Sequence, residues 1–252
     1  MIGLAISGGG ARGAAAIGVL RVMESVGVRP DCVAGTSAGA IIGALYCCGH
    51  HADDLEKIYC SQSWRRLLNG ERLGQLIDEL TGHRSNVDFD TLPIPFRCVA
   101  TDIDEYTEQV LSHGVLADCI KASAALPLLF SPVTINGRRL ADGSLVNNLP
   151  TDVVRQMGAD VVIAIDLQQI TFWQTSFSLK ERTGIGGLLH WAVSHPEVAR
   201  YRKNVALADI RIKPALKIID GYLYDNRRSR RMIAAGEKEA MRYREALDRI
   251  NN

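Results

Sequence analysis

The chain has 252 residues, 47% hydrophobic and 23% charged, a composition that suits one sizeable core and excludes a disordered or fibrous protein. Its 29 basic and 28 acidic side chains leave a formal charge of +1, which gives no overall attraction to nucleic acid. The balance is uneven: residues 1–200 carry 16 basic and 21 acidic side chains and residues 201–252 carry 13 and 7, so contact with an anionic surface is expected near the C-terminus.

Short apolar runs alternate with longer helical patterns, which predicts an α/β fold around a largely parallel or mixed sheet. Strands are expected at Ile2–Ile6, Cys32–Ala34, Phe96–Thr101, Glu108–Leu111, Val133–Ile135, Arg138–Ala141, Val161–Ile165 and Asp209–Ile212. Helices are expected at Arg12–Val26, Ala38–Cys48, Ala52–Leu68, Leu116–Ala124, Thr151–Met157, Leu188–Asn204 and Arg230–Ile250. Residues 69–92 are polar and mixed. Residues 168–187 combine Phe172, Trp173 and Phe177 with Gly184, Gly186 and Gly187, the composition of an aromatic loop or a lid. No repeat or low-complexity linker divides the chain, so residues 1–252 are read as one domain. Cys32, Cys47, Cys48, Cys60, Cys98 and Cys119 form no CxxC pair or Cys/His cluster and read as reduced core thiols. Met1 enters an apolar run with no basic n-region or cleavage site, and no segment reaches the ~18 apolar residues of a spanning helix. The expectation is a soluble, unprocessed, cytoplasmic chain.

After the first strand, Gly8-Gly9-Gly10-Ala11-Arg12-Gly13 satisfies G-x-G-x-x-G, and Asp31 lies near the spacing of a ribose-binding acid. The dinucleotide reading fails on placement, because Asp31 precedes the second strand instead of ending it. The lysine of a phosphate-binding P-loop is absent too. What remains is a glycine turn whose backbone N–H groups face outward at a helix N-terminus, with Arg12 adding positive charge. The plainer alternative is a turn that only permits close packing.

The second strand ends in Gly35-Thr36-Ser37-Ala38-Gly39, a G-x-S-x-G pattern between an apolar strand and an apolar helix. Such a turn exposes a serine at the top of a sheet, with Gly35 and Gly39 making room. A serine hydroxyl needs a proton acceptor to attack anything. Of His50, His51, His83, His113, His190 and His195, the last two come late enough for a Ser…Asp…His order, but none lies in a marked turn. Three carboxylates follow predicted strands: Asp102, Asp142 and Asp166. Asp142 stands slightly ahead because Gly143 frees the backbone beside it and a hairpin signal, Asn136-Gly137, leads into its strand.

Three segments in this order, Gly8 to Gly13, Gly35 to Gly39 and Asp142-Gly143-Ser144, together with Ser123-Ala124-Ala125-Leu126-Pro127, resemble the patatin-like phospholipase family. The likeness covers about residues 1–167, and Asp209–Pro214 and Ile233–Gly236 resemble the tail of small bacterial members more loosely. The resemblance implies a three-layer α/β/α fold and a Ser–Asp dyad in place of a histidine triad. It implies Ser37 as nucleophile, Asp142 as proton acceptor, and the amides of Gly9 and Gly10 as an oxyanion hole. That hole would lie within the Gly8–Gly13 loop, supported by Arg12. The family usually carries Gly or Ala where Ser144 stands, and a serine there is within reach of Asp142.

The implied activity is hydrolysis of lipid or other fatty-acyl esters through an acyl-serine, with no metal or cofactor. The alternatives are an acyltransferase using the same acyl-serine and a regulatory module with little turnover. Arg227, Arg228, Arg230 and Arg231, ahead of an amphipathic stretch, make residues 227–231 a candidate peripheral membrane contact. A solvated helix start packed on the domain is the plainer reading. The oligomeric state is left open.

Overall fold

Ile2–Ile6 is apolar on both sides of its pleat, the pattern of a strand covered by two layers. In the computed structural model, which describes residues 1–61, 88–127, 129–168, 198–222 and 225–250, this strand lies inside an eight-stranded sheet. The strands are β1 Ile2–Ile6, β2 Cys32–Thr36, β3 Phe96–Asp102, β4 Thr107–Leu111, β5 Val133–Ile135, β6 Arg138–Asp142, β7 Val161–Ile165 and β8 Ile210–Ile212. Their order is β5-β6-β3-β2-β1-β7-β8, with β4 also on β3. The run from β3 through β2, β1 and β7 to β8 is parallel, whereas β4 and β6 lie antiparallel to β3 and β5 antiparallel to β6. The sheet is therefore mixed, as the alternating pattern predicts.

The described helices are α1 Ala14–Ser25, α2 Ala38–Cys47, α3 Ala52–Ser61, α4 Leu116–Ser123, α5 Thr151–Gln156, α6 Val198–Ala206, α7 Asn226–Met241 and α8 Arg244–Ile250. Alternation along the strands separates two faces. Leu4, Ile6, Val33, Ile163 and Ile165 join Ile17 and Leu20 of α1, Leu45 of α2, Leu55 of α3 and Met232 of α7. Ala5, Ala34 and Val162 face the other way, onto Val153 and Val154 of α5. Tyr201 of α6 packs beside Leu149 and Ala164. Helices thus cover both faces, giving the three-layer α/β/α arrangement.

Two expectations need correction. The predicted helix Arg12–Val26 opens with a 3-10 turn, Gly10–Gly13, before α1. The predicted helix Arg230–Ile250 is two helices and starts earlier. Asp225 caps it by accepting from the Arg228 amide at 2.8 Å, which moves the start to Asn226. The amides of Arg242 and Tyr243 then donate to the carbonyls of Glu239 and Ala240, three residues back, and this tightening ends α7. The later part of the predicted helix Ala52–Leu68, the earlier part of Leu188–Asn204, and the aromatic segment beyond Gln168 lie outside the described residues.

The pairing of β3 positions the site. Cys98 and Val99 pair with both β2 and β4, so these two strands occupy opposite edges of β3. Ala100 to Asp102 pair with both β4 and β6, so β6 shares the β2 edge. Thr36 meets Val99 and Asp142 meets Ala100. With β2 parallel and β6 antiparallel to β3, their carboxyl ends converge head to head on that edge. Among the described residues no helix is long and apolar enough to cross a membrane.

Candidate active site

Ser37 lies at the junction of β2 and α2 with φ 54° and ψ −121°, a conformation that side chains other than glycine rarely adopt. Such a residue costs on the order of 1–3 kcal/mol and persists only where its surroundings hold it. The glycines allow those surroundings to close in. A Cβ at Gly35, Gly39 or Gly143 would run into the backbone of Gly39, Ile6 or Val99 respectively. A further restraint is Ser123, which is fully buried. Its Oγ accepts from the Ser37 amide at 3.0 Å and donates to the Val99 carbonyl at 2.6 Å.

The Ser37 hydroxyl donates to Oδ2 of Asp142 at 2.7 Å. The other carboxylate oxygen, Oδ1, accepts from the Ser144 amide at 2.8 Å. The Asp142 backbone is held by the Thr101 hydroxyl at its carbonyl, 2.8 Å, and by the Ala125 carbonyl at its amide, 2.9 Å. Asp142 is 1% exposed. Burial pushes its carboxyl above the ordinary range, opposed by the Ser37 hydroxyl and by the amide and hydroxyl of Ser144. A carboxylate raised in this way is a stronger proton acceptor than a solvated one.

The glycine loop lies against the elbow: a Cβ on Gly8 would be 3.1 Å from that of Ser37, and one on Gly13 3.1 Å from that of Ala38. Within the expected oxyanion loop the residues differ. The Gly8 amide donates to the Asn148 carbonyl at 3.1 Å, so Gly8 supplies space and not a donor, contrary to its grouping with the hole. Among the described residues the amides of Gly9 and Gly10 meet no acceptor, and both glycines are partly exposed. Gly10 has φ 57°, which turns its amide out of line with the strand. Arg12, 4% exposed, bonds the Gly9 carbonyl through its backbone amide at 3.2 Å and its Nε at 3.1 Å. It braces the loop from behind.

Among the described residues, Asp102, Asp166, His51 and His113 of the other proton-acceptor candidates face partners away from Ser37. Asp102 accepts from Arg138 at 3.1 Å and from the Asp104 amide at 3.0 Å. Asp166 binds Arg211 and Tyr201. His51 faces Glu24 at 3.2 Å and His113 lies 4.0 Å from Asp90. His83, His190 and His195 lie outside the described residues. No group of three His, Cys, Asp or Glu side chains gathers as metal ligands would among the described residues.

Three residues near the site had no role in the sequence reading. Ser123 sits in the quoted Ser-Ala-Ala-Leu-Pro segment, which was the one available signal. The Asn147 carbonyl accepts from the Thr36 hydroxyl at 2.9 Å, tying the end of β2. Asn148 frames Gly8, with its carbonyl on the Gly8 amide and its Nδ2 3.4 Å from the Gly8 carbonyl. The same Nδ2 reaches Gln168 at 3.2 Å.

The sequence model of the family described as patatin-like phospholipase matches residues 4–155. A patatin-like phospholipase domain-containing protein of Caenorhabditis elegans is 36% identical over 189 residues, covering 67% of this chain and 14% of that one. The neuropathy target esterase of Drosophila melanogaster is 31% identical over 186 residues, covering 66% and 13%. A lysophospholipase of Kluyveromyces lactis is 30% identical over 187 residues, covering 67% and 13%. The chain therefore spans about one-seventh of the length of these relatives. Among solved structures, VipD from Legionella pneumophila aligns with TM-score 0.56 at 14% identity, over 97% of this chain and 67% of that one. The type III effector ExoU aligns with TM-score 0.56 at 13% identity, over 98% and 53%. At those identities the structural likeness speaks to the fold.

Proposed function

Because the chain belongs to the patatin-like phospholipase family, we propose that it is a serine acyl hydrolase cleaving carboxylic esters of lipids through a Ser37–Asp142 dyad. The observation that carries this reading is the 2.7 Å bond from the Ser37 hydroxyl to a buried carboxylate, with no imidazole between them. In the first step Asp142 takes the hydroxyl proton as Ser37 Oγ attacks the ester carbonyl carbon. The oxyanion forms toward the amides of Gly9 and Gly10, each such donor contributing about 3–4 kcal/mol in comparable sites. Collapse breaks the bond to the alcohol oxygen, which leaves with the proton from Asp142. Water, giving its proton to the same carboxylate, then attacks the acyl-serine, and a fatty acid is released as the hydroxyl returns to Ser37.

Residues 1–252 are read as one domain, since a single apolar cluster draws side chains from Leu4 to Leu247. Six cysteines without a disulfide suit a reducing compartment. The test is fluorophosphonate labelling of the wild type, Ser37→Ala and Asp142→Asn, with turnover of esters of increasing chain length. The expected result is labelling that depends on Ser37 and preference for long acyl chains. Equal labelling of Ser37→Ala would overturn the proposal. Transfer of the acyl group to an added alcohol in place of water would replace hydrolysis by acyl transfer at the same serine.

A further inference from the structure

Residues 217–222 form a short turn after β8 that reaches the glycine loop. A Cβ on Gly221 would lie 3.2 Å from Arg12 Nε and 3.3 Å from the Gly9 carbonyl, so the backbone of this turn rests on the brace of the candidate oxyanion loop. On either side of Gly221 stand two large apolar side chains in water, Ile219 at 53% and Tyr222 at 37% exposure. A turn that packs its backbone inward leaves a substantial part of its two largest apolar groups in water.

The same corner is cationic. Lys217, Arg227 and Arg230 are exposed, and none of the three is in an ion pair among the described residues. Their neighbours Arg228 and Arg231 are neutralised by Asp225 at 2.8 Å and by the buried Asp220 at 3.0 Å. Of the four arginines singled out from sequence, two are thus paired with carboxylates, while Arg227 and Arg230, the latter also bonded to the Cys60 thiol, have no counter-charge among the described residues and are joined by Lys217. A third exposed apolar residue, Leu129 at 51% exposure, follows in sequence the segment in which Ser123 holds the Ser37 amide.

We propose that the turn bearing Ile219 and Tyr222, with Lys217, Arg227 and Arg230 around it, docks the protein on an anionic lipid surface beside the Ser37 site. The apolar pair enters the acyl boundary, and the three cations meet lipid phosphates, the pattern of an interfacial anchor. Charge complementarity selects the occupant, since a second copy of this chain would bring the same cations together. This inference rests on the lipid-ester reading of Ser37, whose substrate would otherwise have no reason to be membrane-borne.

The test measures binding apart from turnover, using the full chain carrying Ser37→Ala. Co-sedimentation is read with vesicles of phosphatidylcholine plus phosphatidylglycerol and with phosphatidylcholine alone. The expected result is binding to the mixed vesicles that weakens with salt, is about tenfold lower with Ile219→Ser and Tyr222→Ser together, and falls about fivefold per charge removed by Lys217→Gln, Arg227→Gln or Arg230→Gln. In the Ser37-containing chain these substitutions leave turnover of a soluble short-chain ester, and the melting temperature, unchanged. Affinities within about twofold of the parent for both sets, or equal binding to the two kinds of vesicle, would overturn the docking surface. Vesicle binding as expected with no Ser37-dependent ester turnover would retire the hydrolase reading while leaving the surface in place.

Discussion

Asp142 at the end of β6 and Asp166 just after β7 are both shut away from solvent, at 1% and 0% exposure, yet they are solvated by the protein in opposite ways. Asp166 Oδ2 receives Arg211 Nε at 2.9 Å and the Tyr201 hydroxyl at 2.6 Å, with Lys213 Nζ at 3.5 Å, so its charge is matched by cations. Asp142 receives a serine hydroxyl and a backbone amide, and among the described residues no cation contacts it. A buried carboxylate beside arginine is held in place by its counter-charges, and removing it leaves those cations unpaired. One left with neutral donors is costly to keep ionised, and that cost is its capacity to take a proton. Burial alone does not mark a base. Burial without a cation does.

The largest expected effect separates the two directly. Asp142→Asn should lower kcat/KM on a lipid ester by about a thousandfold or more, in the range of a lost general base, with the melting temperature unchanged or higher. The sign of the stability effect follows from the raised carboxyl. Its folded-state affinity for the proton exceeds the unfolded one, so the group favours the fold most below the ordinary 3.8 and progressively less as pH rises through its folded value. An amide does not ionise and escapes that penalty. Asp166→Asn should do the reverse. It leaves Arg211 and Lys213 without their counter-charge and should cost about 2–3 kcal/mol of stability by denaturant unfolding. That is less than a fully buried pair, because both cations keep about a third of their surface. Its kcat/KM should stay within about tenfold of the wild type. If Asp166→Asn abolished turnover while Asp142→Asn did not, the contrast would be inverted.

A smaller effect concerns Ser123. Ser123→Ala removes the acceptor of the Ser37 amide and the donor to Val99, two buried bonds, for about 1–3 kcal/mol of stability. A lower kcat with KM unchanged would identify it as a residue that positions the nucleophile. The smallest effect lies in the pH profile. The acidic limb of kcat/KM should stand above 3.8, and Ser144→Ala, which removes a hydroxyl that holds the carboxyl down, should move the limb further up. A limb unmoved by Ser144→Ala would mean that Ser144 acts on Asp142 through its amide and not its hydroxyl.

Much of this was readable in one dimension. The apolar runs at Ile2–Ile6 and Val161–Ile165 are strands with the expected bounds, because a strand covered on both faces needs little beyond continuous hydrophobicity, and Val133–Ile135 is an edge strand marked by alternation and the turn that follows it. The G-x-S-x-G turn was visible because its glycines answer a local steric demand. Less visible were contacts that join distant segments through ordinary side chains. Ser123, Asn147 and Asn148 carry no compositional mark, and their use depends on which strand ends meet. Nor could charge alone tell that Arg228 and Arg231 are held by Asp225 and Asp220 while Arg227 and Arg230 are not. The split between α7 and α8 escaped for a related reason, since its amphipathic pattern runs on unbroken while the hydrogen bonds change.

The head-to-head meeting of β2 and β6 on one edge of β3 has a consequence in time as well as in space. The hydroxyl of Ser37 and the carboxylate of Asp142 are separated by 105 positions of chain. Neither can find the other until β3 has docked on β2 and offered the rest of that same edge to β6. Contacts so remote in sequence form late, after most loop-closure entropy has been overcome. During synthesis, a nascent chain that already displays Ser37 still lacks Asp142. The contact between the two side chains is then expected among the late events of folding.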